Sequence, residues 1–183
     1  MLMTRRAMLA AAGTLAAALE LCKPGQPRAD ELASLADLSL NAPPKKLPGL
    51  HWSTADGRLQ TLADYAGKGV ILNLWATWCM PCVQEMPSLD RLSEKLSGQN
   101  VAVLPLSSDH GGASAVRAFY ASHGIRDLPV LLDTDGAVER ALGVRGIPTT
   151  LLIDRQGRER GRVEGAADWT SAEAMTKIDR LVG

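Results

Sequence analysis

A chain of 183 residues holds enough sequence for one domain with its own core. Twenty basic residues balance twenty acidic ones with no block of like charge, which disfavours a nucleic-acid or anionic-membrane surface. Aromatic residues, at 4%, are too scarce for a base-stacking platform, and three cysteines are too few for a disulfide scaffold.

Near the N-terminus, Arg5-Arg6 precede Ala7 to Leu19, an alanine-rich, charge-free run that stops at Glu20. Such a run is short for a bilayer span and suits the apolar core of an export signal. Ala16-Ala17-Ala18 offers a small-residue cleavage site, and Thr4 to Leu9 resembles a twin-arginine signal. Residues 1–22 are read as a signal peptide or N-terminal anchor, which places the chain in a bacterial periplasm or facing it. Pro24, Pro27, Pro43 and Pro44 mark residues 23–46 as a linker, although Leu32, Leu35 and Leu38 recur within it at helical spacing. Cys22 reads as an unpaired thiol or a residue removed with the signal. Glu20-Leu21 before it are not the small residues that a lipidation site needs.

The folded domain is expected over residues 47–183. Asp56-Gly57 between His51–Ser53 and Arg58–Thr61 reads as a hairpin turn. Gly69 to Trp75 is a near-continuous apolar run, as in a strand buried on both faces. A helix follows from about Pro81, with Val83, Met86, Leu89, Leu92 and Leu96 on one side and Gly98 closing it. Val101 to Leu106 is a second strand, its Pro105 hinting at a sheet edge. Ala113 to His123 reads as a helix, Pro129 to Leu132 as a short strand and Ala137 to Leu142 as a further helical stretch. Thr149–Ile153 and Glu159–Val163 flank a turn as an antiparallel pair, and Thr170 with Glu173 forms a capping box opening the last helix. This order implies an α/β fold, a central mixed β-sheet flanked by α-helices, with an N-terminal β-hairpin and a helical and strand insertion.

The chemistry concentrates in WATWCMPC, Trp75 to Cys82. Cys79 follows the buried strand and falls at a helix N-terminus, where unpaired backbone N–H groups and the helix dipole favour a thiolate. Cys82, three residues on, lies on the same side of the first turn. Pro81 is tolerated because the N–H it lacks would go unbonded there. The arrangement fits an exposed nucleophile and a more buried resolving thiol. A zinc site or a structural staple is the alternative. His51, His110 and His123 are too scattered to complete a zinc site, and a staple across three residues constrains little of the unfolded chain. No metal or other cofactor is expected.

With the EMP that follows, and with Gly146-Ile-Pro-Thr-Thr150 leading into LLID, the motif resembles the thioredoxin superfamily. Within it the chain is similar to the exported TlpA/ResA/CcmG-type thiol–disulfide oxidoreductases, and its EGAADWTSAEA segment is similar to the TlpA group. The resemblance implies a thioredoxin-like fold with a redox-active disulfide, Cys79-Cys82, in which Cys79 attacks and Cys82 resolves. It implies that Pro148 is the cis-proline beside that disulfide, that Ile147 offers its backbone to a partner strand, and that Trp78 walls the site. From sequence alone, Pro148 could equally be a trans proline starting a strand. Pro81, with Met80, helps set the potential. Glu85 matches the family's helix glutamate, with a solvated helix-face charge as the competing reading. Asn73 stands where cytosolic thioredoxins carry a buried aspartate, so any proton-transfer carboxylate must come from elsewhere.

By resemblance, the protein is a periplasmic reductant of specific protein disulfides, acting as a monomer without nucleic acid. A membrane thiol reductase of the DsbD/CcdA kind would be its electron donor, and the N-terminal segment would associate it with the membrane if uncleaved. Similarity to TlpA implies clients in cytochrome oxidase and copper-centre assembly; similarity to the CcmG/ResA side implies apocytochrome c. Readings of other classes are a copper-binding chaperone on the same fold and a non-catalytic binding module.

Overall fold

The computed structural model describes residues 38–183. The expected signal or anchor, Cys22 and residues 23–37 of the linker lie outside the described residues. Eight strands form one sheet: β1 (Ser39–Lys46), β2 (His51–Thr54), β3 (Leu59–Thr61), β4 (Gly69–Trp75), β5 (Val101–Ser107), β6 (Leu131–Leu132), β7 (Thr149–Ile153) and β8 (Arg158–Glu164). Their spatial order is β1-β8-β7-β4-β5-β6-β2-β3. β4 pairs parallel with β5 and antiparallel with β7, so the sheet is mixed. Among the described residues, four α-helices flank it: α1 (Met80–Leu96), α2 (Gly112–His123), α3 (Ala137–Leu142) and α4 (Ala172–Val182).

Alternation along β4 divides the core. Ile71 and Trp75 face α1, α2 and α4, joining Met86, Leu89, Leu92, Phe119, Tyr120, Ile178 and Val182. Val70, Leu72 and Leu74 face the other way, onto Trp52, Leu104, Leu106, Val138 and Leu142. All seven β4 residues are buried, which accounts for the unbroken apolar run: a strand covered on both faces has no solvent side to make polar. Asn73 is the exception, and the period of two sets it on the α1 face.

Three expectations change. The stretch read as linker is not all linker, because Ser39–Lys46 pairs antiparallel with β8 and Leu38 is buried in the α1-side core. Its Pro43 and Pro44 are accommodated because β1 is an edge strand whose register shifts between Leu40 and Lys45. Pro105 lies in the sheet interior, yet β6 pairs only with Leu106 and Ser107, leaving no ladder partner on that side of Pro105. At α4, Ser171 is the N-cap and accepts from Ala174 N at 3.1 Å, while Thr170 binds Asp168.

Candidate functional site

β4 delivers the chain at Trp75, and Ala76 to Trp78 turn it into α1. Cys79 is the N-cap: its Sγ accepts from Cys82 N at 3.3 Å, and its carbonyl accepts the first helical bond from Val83 at 3.0 Å. Pro81 occupies the first turn, where its missing N–H costs nothing. Cys79 and Cys82 are joined as a disulfide, with Cα atoms 5.2 Å apart. Cys82 is wholly buried and Cys79 nearly so, 6% of its surface remaining exposed.

Two large apolar side chains border that small sulfur window. Trp78 and Met80, on either side of Cys79, are each 67% exposed. On the other flank the Ile147–Pro148 bond is cis, and Ile147 O lies 3.6 Å from Cys79 Sγ. Thr149 Oγ1 donates to Gly146 O at 2.7 Å, and Gly165 N donates to Pro148 O at 2.9 Å, so this loop is tied at both ends. The structure thus brings Trp78, Cys79, Pro81, Cys82, Ile147 and Pro148 to one end of the sheet.

One helical turn from Cys82 lies a buried polar network that the sequence left undefined. Glu85 is fully buried, three residues after Cys82 and on the same face of α1. The solvated-charge reading of Glu85 is therefore wrong. Its Oε1 accepts from Asn73 Nδ2 at 2.8 Å; its Oε2 accepts from Ala167 N and from Trp169 Nε1, each at 3.1 Å. Asn73 Nδ2 also donates to Thr150 Oγ1 at 2.8 Å, across the β4–β7 register that pairs the two residues. Burial pushes Glu85 up to about 7, the donors from Trp169, Ala167 and Asn73 only partly opposing it. Thr150, Ala167 and Trp169 are supporting residues that sequence reasoning missed. A second buried carboxylate, Asp109, binds Thr77 just before the Trp78-Cys79 pair.

Chemically, a disulfide at a helix N-terminus with one sulfur partly open to solvent is the arrangement that thiol–disulfide exchange uses. Among the described residues, no three His, Cys, Asp or Glu side chains gather as a metal-holding group. Fold and site together define a thioredoxin-like thiol–disulfide oxidoreductase. The chain belongs to the AhpC/TSA family, whose model matches residues 40–160.

Among its relatives, the thiol-disulfide oxidoreductase ResA of Geobacillus thermodenitrificans is 36% identical over 132 residues, 72% of this chain and 70% of that protein. ResA of Bacillus thuringiensis subsp. konkukian is 34% identical over 121 residues, 66% of this chain and 69% of the relative. Among solved structures, a proposed thiol:disulfide interchange protein, DsbE, from Chlorobium tepidum aligns with a TM-score of 0.67 at 27% identity, covering 76% of this chain and 97% of that one. The exposed lipoprotein thioredoxin of Streptococcus pneumoniae aligns at 0.58 with 29% identity, covering 73% and 100%.

Proposed function

We propose that this protein works outside the cytosol as a reductant of protein disulfides, with Cys79 as nucleophile, Cys82 as resolving thiol and Glu85 as the proton carrier. The observation that carries the reading is the Cys79–Cys82 disulfide at the start of α1 with the buried Glu85–Asn73 pair one helical turn from Cys82. The Cys79 thiolate attacks one sulfur of a client disulfide, forming a mixed disulfide and releasing the client's other sulfur as thiolate. Cys82 passes its proton to the Glu85 carboxylate and attacks Cys79 Sγ. The Cys79–Cys82 bond forms, and the second client thiol leaves with the electron pair. Two electrons move from enzyme to client. A membrane thiol reductase restores the dithiol, because an oxidising compartment holds no soluble reductant pool.

Asn73 suits this traffic better than an aspartate would. Its amide has both donor and acceptor, and Thr150 offers a hydroxyl that can do either. A rotated amide therefore satisfies Glu85 in both its charge states without a second buried charge. Export rests on the Arg5-Arg6 leader pattern, and the name of the pneumococcal exposed lipoprotein thioredoxin is consistent with it. The preferred clients are proteins of copper-centre and cytochrome oxidase assembly, with apocytochrome c as the second reading.

The test is to express Cys82→Ser in the source cell and identify what remains disulfide-linked to Cys79. Trapped copper-centre proteins would support the first reading and apocytochrome c the second. Absence of any adduct, or a Cys79/Cys82 potential near −120 mV, about that of the oxidant DsbA, would overturn the reductase.

A further inference from the structure

A groove of about 440 Å³ runs beside the disulfide, between Trp78 and the α3 turn. Trp78, and Ser108 and His110 in the turn after β5, line it, and Ile147 lines the end nearest Cys79. Between Ser108 and His110, pointing inward, is Asp109, only 4% exposed. Its Oδ2 accepts from Thr77 N at 2.9 Å and from Ser107 Oγ at 2.7 Å, and its Oδ1 accepts from Thr77 Oγ1 at 2.6 Å. One carboxylate therefore holds the residue before Trp78 through two bonds and the end of β5 through a third. A backbone bond from Ser108 N to Trp75 O, 3.0 Å, runs parallel to it.

We propose that Asp109 is a positioning residue for the reaction: it locks the Thr77-Trp78 wall of the groove to the β5–α2 turn, so that the groove is preformed when a client chain is laid along it. The proposal rests on the reading that a polypeptide disulfide is the substrate. Charge-assisted bonds to a buried carboxylate are the strong kind, and a clamp on the wall that carries Trp78 need not touch the sulfurs. Its loss should weaken client binding while leaving Cys79 intrinsically reactive. Pre-organised walls lower the cost of ordering a bound chain, which is paid in KM.

The experiment compares pre-reduced wild type, Asp109→Ala, Thr77→Val and Thr77→Ser in single-turnover reduction of a varied excess of a peptide with one intramolecular disulfide, with KM and kcat read as the half-saturating concentration and the limiting rate, alongside alkylation of reduced Cys79 by iodoacetamide. Thr77→Ser keeps both bonds to Asp109 and should match wild type. Thr77→Val loses the hydroxyl bond alone, and should raise KM about threefold. Asp109→Ala should raise it about tenfold, with kcat and the alkylation rate within twofold of wild type. An unchanged KM in Thr77→Val, or alkylation slowing in proportion as KM rises, would overturn the proposal. Because Thr77→Val leaves the buried carboxylate bonded to Thr77 N and Ser107, it serves if Asp109→Ala does not fold. If wild type reduces no peptide disulfide although Cys79 alkylates, the substrate reading fails instead, and the two failures are told apart.

Discussion

Glu85 shows how far single residues can be read before a structure is seen. Cys82, Met86, Leu89, Leu92 and Leu96 recur at helical spacing, and Glu85 sits on that same stripe, next to Met86 and three residues from Cys82. An ionisable side chain on an apolar face is the signal that could have found it. What the sequence lacked was the other half of the site: Trp169 and Ala167 arrive from 80-odd positions away, between β8 and α4. The role assigned to Glu85 is open to a direct test. Glu85→Gln keeps the shape and removes the proton acceptor, so the mixed disulfide formed at Cys79 should persist. Its decay, followed by rapid quench after mixing with a disulfide peptide, is expected to slow by ~100-fold, the low end for loss of a general base. First attack by Cys79 should be little changed. Equal decay in both proteins would remove Glu85 from the proton path.

Elements were legible where one period dominated and harder to place where local chemistry competed. β4 and α1 follow directly from an unbroken apolar run and a 3.6-residue stripe. β1 did not, because Pro43 and Pro44 read as tether and its side chains are mostly exposed. Its place in the sheet depends on β8, where Gly161 leaves room for it. A Cβ at Gly161 would stand 2.7 Å from Ser39 O and 3.2 Å from a Leu38 methyl. Gly161→Ala should therefore lift β1 off the edge, costing ~1–3 kcal/mol in denaturant melts. Amide exchange should rise in Ser39–Lys46, with α1 and Cys79 alkylation unaffected. If β1 exchange were unchanged, the strand would owe nothing to that close approach. The slip of one residue at the α4 cap has a similar origin: Thr170 and Ser171 are both good caps, and Asp168 takes Thr170 out of contention.

For the molecule as a whole, the buried carboxyl links redox chemistry to stability. With Glu85 raised from 4.5 to about 7, the folded protein keeps a proton that the unfolded chain has released across that interval. Its contribution is complete below pH 4.5 and lost as pH rises through about 7, an amount on the order of 3 kcal/mol. Melts of wild type and Glu85→Gln below pH 4.5 and at about pH 8 should show wild type losing that much more across the interval. A constant gap between them would mean that Glu85 titrates normally. The sheet's running directions have a further consequence. β1 is antiparallel to β8, β8 to β7 and β7 to β4, and through Arg162 and Leu151 the register sets Ser39 level with Leu72, midway along β4. The first strand therefore begins halfway along the sheet and runs away from the disulfide end, so it borders β8 without reaching over the sulfurs.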